Sequence, residues 1–335
     1  MKIAVDVMGG DHGVSINVKA CVDAIKEYNV TLVLVGREEE IREELKNYTY
    51  EEKYIEIVHA PDVISNDEKA GMSIRKKKDS SMVKALYLVK NGEADAVISS
   101  GSTGALLSGA TIIVGRIKGI KRPALAPVIP TQKKGAVLID AGANVDSKPI
   151  YLQQFAIMGS IYADKVLNYS NPKVGIANIG EEPGKGNALV KEAYGLVENA
   201  PVNFSGNLEM RDVFDGDVDV IVCDGFVGNT ILKVGEGLAK TIFKILKHEI
   251  YSSSKAKLGA LLLKSNLKNM KAQLDYTEYG GAPFLGVNGC VIKAHGSSDS
   301  NAIKNAIRQA KQYLDNNVTE AISNQIKAME QKEEV

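Results

Sequence analysis

The chain predicts an α/β fold, a three-layer α/β/α sandwich with a mostly parallel sheet. Short β-branched runs alternate with segments of helical period along its whole length. Those runs are apolar almost throughout, as strands covered on both faces must be. The 31 glycines exceed the roughly 7% background, and many stand singly between apolar runs, where tight strand-to-helix turns need them.

The elements follow in order, each strand a short apolar run and each helix a periodic segment. Ile3–Val7 leads into a helix at Ser15–Tyr28, and Thr31–Val35 into Glu38–Asn47. Tyr54–His59 precedes Ser81–Asn91, and Ala96–Ser99 precedes Thr103–Ile117. Ala136–Ile139 leads into Pro149–Leu167, and Lys173–Ile179 into Asn187–Asn199. Asn203–Gly206 stands before Val218–Cys223, which leads into Asn229–Tyr251. Val291–Ala294 opens the last helix, Ser298–Met329, with room for a break and a frayed Gln331-Lys332-Glu333-Glu334 tail. No Ser/Pro-rich linker or internal repeat marks a boundary, so 1–335 reads as one α/β unit.

Lys plus Arg equals Asp plus Glu at 41 each, so no global charge points to nucleic acid and any basic docking site is local. Cys21, Cys223 and Cys290 are widely spaced, as buried reduced thiols rather than metal ligands or disulfides. The chain starts in a strand without the segments of a signal peptide, and no run approaches ~18 apolar residues, which predicts a cytoplasmic protein. One segment departs from the pattern: 252–272 reads as an amphipathic helical protrusion. Leu258, Leu261 and Leu262 with Met270 or Leu267 form an apolar stripe bordered by five lysines, and Leu263 stands beside it. Such a stripe packs on the core or a partner subunit, or lies on an anionic membrane.

Ligands of open α/β sheets sit beyond the carboxyl ends of the strands. Six turns there offer small residues and hydrogen-bonding groups: Gly9-Gly10-Asp11-His12, Ser100 to Gly104, Asp140 to Asn144, Gly180 to Asn187, Asp224 to Asn229, and Ala294 to Ser297. Together they suggest one crevice for an anionic ligand, with backbone N–H groups at helix N-termini. None has the spacing of a dinucleotide or Walker loop, and the four histidines lack metal-ligand spacing. Lys185, between two glycines on such a loop, can bring a point charge to a phosphate or an oxyanion, or can simply be solvated. Asn229 is an N-cap or an amide donor, and His295 a structural or a catalytic residue. Asp6, Asp11, Asp140 and Asp224 are site residues or simply tie down turns by accepting N–H bonds. Two basic clusters, Arg75-Lys76-Lys77-Lys78 and Arg116 to Arg122, are solvated faces or docking sites for an acidic partner.

These residues also carry a resemblance. Ile3 to His12, Ile74 to Lys78, Ser100 to Leu106, Val114 to Ile120, Asp140 to Asp146, Asp224 to Asn229, Tyr279 to Ala282 and Ile292 to Ser298 resemble the bacterial acyl-carrier-protein-dependent phosphate acyltransferases (the PlsX family), in one order over almost the whole chain. The resemblance implies a fold of the isocitrate/isopropylmalate dehydrogenase and phosphotransacetylase kind and a homodimer. It also implies reversible transfer of a fatty acyl group from acyl-[acyl-carrier protein] to inorganic phosphate. The acyl phosphate then passes to a membrane glycerol-3-phosphate acyltransferase for phospholipid synthesis. No cofactor, metal or nucleic acid is implied. Val7 stands where the family usually has Ala, Ser102 where it has Asn, and Gly13-Val14 replaces Ala-Pro. Glu181 to Gly184 departs from a Thr-containing loop, while Lys185 and Gly186 keep their place.

On this reading Gly10, Ser102, Thr103, Gly104, Asn144, Gly296 and Ser297 hold phosphate, and Lys185, Asn229 and His295 are catalytic. Arg75, Lys76, Lys77, Lys78, Arg116 and Lys118 dock the acidic carrier protein. Leu258, Leu261, Leu262 and Leu263 associate peripherally with the inner face of the membrane. The alternatives are a phosphotransacetylase-like enzyme using acyl-CoA, a dehydrogenase on the related fold, and a membrane scaffold without catalysis.

Overall fold

The computed structural model describes residues 1–273 and 279–333. Five strands lie parallel in the order β3 (Ile55–His59), β2 (Thr31–Gly36), β1 (Lys2–Asp6), β4 (Ala96–Ser99) and β12 (Cys290–Lys293). β11 (Ala282–Leu285) and β5 (Ala124–Leu125) extend that sheet antiparallel. A second sheet runs β6 (Val128–Ile129), β7 (Ala136–Ile139), β10 (Val220–Val222), β8 (Lys173–Asn178) and β9 (Asn203–Glu209), parallel except for β6.

The expected single sheet is therefore two among the described residues. The chain crosses between them through β5 and β6, two-residue strands flanking Ala126-Pro127, which are too short to show a period. The six turns are divided accordingly: those after β1, β4 and β12 belong to the first sheet, and those after β7, β8 and β10 to the second.

Both sheets are covered on both faces. Along β1, Ile3 and Val5 enter one apolar cluster and Ala4 the other, and β7 alternates in the same way with Val137 and Ile139 against Leu138. The first cluster takes side chains from α1 (Gly13–Tyr28), α2 (Glu38–Leu45), α6 (Pro149–Lys165), α7 (Ala188–Glu198), α11 (Ser300–Asp315) and α12 (Val318–Glu333). The second takes them from α3 (Ala70–Lys76), α4 (Ser81–Lys90) and α5 (Thr103–Gly109). Each cluster crosses both sheets, and each fully buried Leu, Ile or Phe contributes about 1.5–3 kcal/mol. This is the three-layer sandwich expected from the apolar strands.

Several boundaries differ from expectation. The helix read over 103–117 ends at Gly109 and continues as a π turn, Ala110–Val114, stopped by Gly115. The helix α3 had not been read. The C-terminal helix breaks at Asn316-Asn317, where Asn317 adopts φ +51°, and it begins after Asp299, whose carboxylate accepts from the Ala302 N–H at 2.9 Å. Helix persists through Glu333, where fraying was expected, and Glu334 lies outside the described residues.

Helix α8 (Gly225–Tyr251) is the exception to burial, since only Gly225 and Gly228 of its 27 residues are buried. Beyond it, 252–272 is not one helix but two, α9 (Ser254–Leu262) and α10 (Lys264–Gln273), meeting at Leu263. Leu262 is 77% exposed, and Leu258, Leu261 and Leu263 are exposed as well. Among the described residues no helix is long and apolar enough to cross a membrane.

Candidate active site

The turns after β1, β4 and β12 are knitted into one surface. Gly10 adopts φ +85°, and a Cβ there would fall 2.7 Å from Ser100 Oγ and 3.0 Å from Gly296 O, so only glycine fits between the two neighbouring turns. The Asp11 N–H donates to Gly296 O at 2.8 Å. From α1, Asn17 Nδ2 donates to the carbonyls of Val7, Gly9 and Gly13 at 3.0–3.1 Å, fixing the first turn from below. Ser99 Oγ donates to Asp6 Oδ2 at 2.6 Å and accepts from the Gly101 N–H at 3.1 Å.

Lys293 lies beneath this surface. The side chain ends β12 at 9% exposure, and its Nζ donates to Ser100 O at 3.2 Å and to Ala294 O. Burial lowers its pKa to about 8, against the pull of the Asp6 and Asp11 carboxylates. Burial likewise raises Asp6, opposed by the Ser81 and Ser99 hydroxyls and the N–H groups of Met8 and Gly9. One buried ammonium therefore joins the β4 and β12 turns from inside, and Lys293 is the member of this charge group that the sequence does not single out. The signal was available: a lysine directly after Cys290-Val291-Ile292 sits where the strand pattern demands a buried side chain.

The second sheet contributes a more rigid edge. Asp140, fully buried, accepts from the N–H groups of Leu125 (2.9 Å), Ala143 (3.0 Å) and Asn144 (2.6 Å). Asn144 spends its amide on Pro123 O at 2.8 Å and Asp140 Oδ2 at 3.0 Å, and its carbonyl accepts from the Gly225 N–H. Asn144 thus braces the crossover between sheets instead of presenting its amide to a phosphate. Helix α8 docks on the same turn. A Cβ on Gly228 would meet Asp140 O at 1.9 Å, an approach that only glycine permits. Asp224, not Asn229, is the N-cap, accepting from the Val227 N–H at 2.9 Å. Asn229 is exposed in the first turns of α8, and its Cβ, Cγ and Oδ1 lie 3.5–3.7 Å from where a Gly142 Cβ would be.

Lys185 lies on the loop after β8, the strand beside β10, so its loop and the start of α8 leave neighbouring strand ends. Its N–H donates to Glu182 O at 3.0 Å, its carbonyl accepts from Asn178 Nδ2 at 3.1 Å, and its exposed ammonium stands 3.9 Å from Glu182 Oε1. The backbone is tied while the charged end reaches solvent.

His295, on the β12 turn, faces α8. Its Nδ1 accepts from the Ser297 N–H at 3.2 Å and lies 2.8 Å from Ser297 Oγ, which leaves the hydrogen on Nε2. Burial pushes the imidazole below its ordinary range, Glu236 opposes that, and Lys233, Lys293 and Lys240 reinforce it, so the ring is neutral near pH 7. Glu236, Lys233 and Lys240 all belong to α8, which places the β12 turn of the first sheet against the helix that opens from the second. Asp11 also faces this turn, with a carboxylate oxygen 3.4 Å from where a Gly296 Cβ would be.

The other expected residues are distributed unevenly. Ser102 caps α5, accepting from the Ala105 N–H at 3.4 Å, with Thr103 and Gly104 exposed behind it. Of the first basic cluster, Arg75, Lys76 and Lys78 are exposed at the end of α3. Lys77 is instead held by Val63 O at 2.8 Å and Glu68 Oε1 at 2.7 Å. The Arg116 guanidinium turns onto the carbonyls of Ile120 and Lys121, which leaves Lys118 as the freer cation of that loop. All three cysteines are buried, and burial raises their thiols. Among the described residues no group of three His, Cys, Asp or Glu side chains is disposed to hold a metal ion.

Comparison with known proteins identifies the family and the fold. The family model described as "Fatty acid synthesis protein" matches residues 1–321. The chain is 55% identical to a phosphate acyltransferase of Alkaliphilus oremlandii, over 98% of both chains. It is 54% identical to one of Clostridium acetobutylicum, over 98% of this chain and all of that one. Among solved structures, a phosphotransacetylase from Streptococcus pyogenes superposes with a TM-score of 0.62 at 19% identity, covering 96% of this chain and 94% of that one. A branched-chain phosphotransacylase from Enterococcus faecalis gives 0.56 at 16% identity over 93% and 98%. At such identities the structural likeness speaks for the fold.

Proposed function

The chain belongs to the phosphate acyltransferase family, and we propose that it moves a fatty acyl group, reversibly, from acyl-[acyl-carrier protein] to inorganic phosphate, yielding acyl phosphate and free carrier protein. The packing of the β1, β4 and β12 turns on one another, with His295 of the β12 turn facing Lys233, Glu236 and Lys240 of α8, carries this reading.

Phosphate near neutral pH is already an anionic oxygen nucleophile, and a thiolate leaves readily, with a pKa of roughly 8.5 if it behaves like cysteine. The protein's task is to hold two anions together and to stabilise the tetrahedral oxyanion. Phosphate rests on the turns at Gly10, Ser102-Thr103-Gly104 and Gly296-Ser297, near helix N-termini. Lys293 supplies fixed positive charge beneath them, and Lys185 a mobile one from the β8 loop. The neutral His295 offers Nε2–H, and Asn229 its amide, to the thioester oxygen. The phosphate oxygen bonds to the acyl carbon, the oxyanion collapses, and the C–S bond breaks to release carrier thiolate. Buried thiols of raised pKa argue for direct attack without an acyl-enzyme. Each well-aimed donor is worth about 10²–10³ in rate, and positioning up to roughly 7–11 kcal/mol.

The exposed Arg75, Lys76, Lys78 and Lys118 form the docking surface for the acidic carrier. The exposed stripe Val234, Leu238 and Ile245 on α8 suits a second copy of the chain in a homodimer. Leu258, Leu261, Leu262 and Leu263 seat an otherwise cytoplasmic protein on the inner, anionic membrane face, where a membrane glycerol-3-phosphate acyltransferase takes the product.

The test is incubation with long-chain acyl-[acyl-carrier protein] and phosphate, trapping the mixed anhydride with hydroxylamine, beside a parallel reaction with acyl-CoA. Phosphate-dependent hydroxamate from the carrier-linked donor is expected. Product from acyl-CoA alone would favour the phosphotransacetylase-like alternative, and none from either donor would overturn the proposal.

A further inference from the structure

A cavity of about 1020 Å³ opens beside the candidate site and follows α8 outward. Gly235, Ala239, Phe243, Leu246 and Ile250 line it from the helix; they recur at three or four residues and form one stripe. Phe214 and Ile129 wall it on the second-sheet side, and Leu267 and Met270 of α10 border the far end. A Cβ on Gly235 would stand 3.1 Å from Phe214 Cζ, so the wall comes down close on the helix there. Ser297 of the β12 turn also lines it, within two residues of His295.

We propose that this trough holds the hydrocarbon tail of the acyl donor, with the thioester at the Ser297 end and the methyl end toward Ile250, and thereby sets the chain length accepted. The inference rests on the acyl-transfer reading above and deepens it. The trough is continuous with the candidate site, because Ile231 and Leu232, which also line it, follow Asn229 by two and three residues. Ile231 to Ile250 spans roughly 28 Å of helix, a length suited to an extended long-chain acyl group and far beyond what phosphate and a thioester require. Of the stripe assigned above to a second copy, Val234 and Ile245 lie outside the trough, roughly 100° around the helix from its lining, while Leu238 stands on the shared rim.

The test uses two bulky substitutions at different depths in the full-length protein. Ala239→Phe should cut kcat/KM for long-chain donors by about 10–200-fold while barely changing a short-chain donor. Ile250→Trp, deeper along the trough, should affect only the longest. A pyrene-labelled hexadecanoic acid, titrated by fluorescence, should bind the wild type and lose affinity in Ala239→Phe; this reads the trough without turnover. Unchanged chain-length profiles with unchanged probe affinity overturn the inference. So does conversion of a dimer to monomer by Ala239→Phe with an unaltered profile, which would assign the trough to a second copy. A wild type that binds the probe at Ala239 but makes no acyl phosphate from any donor would instead refute the acyl-transfer reading.

Discussion

The β1, β4 and β12 edge and the α8–α10 arm are built on opposite terms. At the edge nearly every polar group is spoken for: Asp11 meets Gly296, Asn17 grips three carbonyls, Ser99 bridges Asp6 and Gly101, and Lys293 binds from within. The arm is rooted by two buried glycines, packs Val227, Ile231 and Leu232 on the core, and then exposes Leu238, Ile245, Leu258 and Leu262. A surface that must fix a small anion needs rigidity, because misplacing the reacting atoms is costly. An arm meant for a lipid tail, a membrane or a second copy needs apolar area left uncovered. On the proposed function, the rigid edge would do the chemistry and the exposed arm would meet the apolar partner.

Breaking the rigid side should have the largest effect. Lys293→Met should lower turnover about 10²–10³-fold, by analogy with losing one preorganised donor. Its pH dependence sharpens the point. The folded-state pKa of about 8 keeps Lys293 charged below that pH, so wild-type activity should decline as pH rises through about 8, a limb absent from the variant. Stability should run the other way: the unfolded chain keeps that proton to a higher pH, so raising pH above about 8 favours the fold through this group. A calorimetric pH series checks the sign.

Next, Gly228→Ala should destabilise by about 3 kcal/mol, because the added carbon meets Asp140 O and must push the α8 root off its turn. Chemical denaturation measures this. A value near zero would mean the arm is not anchored there. Lys185→Ala should reduce turnover by about a hundredfold with an unchanged unfolding midpoint, since its side chain is exposed and its backbone bonds survive. Near wild-type turnover would remove it from the site.

The softer side should respond less. Leu262→Glu should cut sedimentation with anionic vesicles while leaving soluble-assay turnover intact, as burying one leucine is worth about 1.5–3 kcal/mol. Reversing Arg75 and Lys76 to Glu should raise the KM for the carrier-linked donor a few-fold and flatten its salt dependence, the modest effect expected of exposed charges. Lys77 and Arg116 would be poor choices, because both are tied into the fold.

Much of this was legible in the residues. The strands that carry turns announce themselves as apolar runs, and the glycines beyond them mark the crevice. What escaped had physical reasons. β5 and β6 are too short for periodicity, so two sheets read as one. Asn144 and Asn229 both looked like amides facing a ligand, yet only the fold shows Asn144 bound to Pro123 and Asp140 while Asn229 stays exposed over Gly142. The role of Lys293 depends on Asp6 and Ser100, far away in sequence. The trough is formed by a helix, a loop and an arm whose proximity no local pattern encodes.

The most direct test follows the acyl group itself. The enzyme would be mixed with donor carrying a radiolabelled acyl chain and with phosphate, quenched within one turnover, and protein-bound label separated from acyl phosphate. Label passing straight into acyl phosphate, only when phosphate is present and with none on the polypeptide, is the predicted result. Label covalently held by the protein before acyl phosphate appears would contradict direct attack by phosphate.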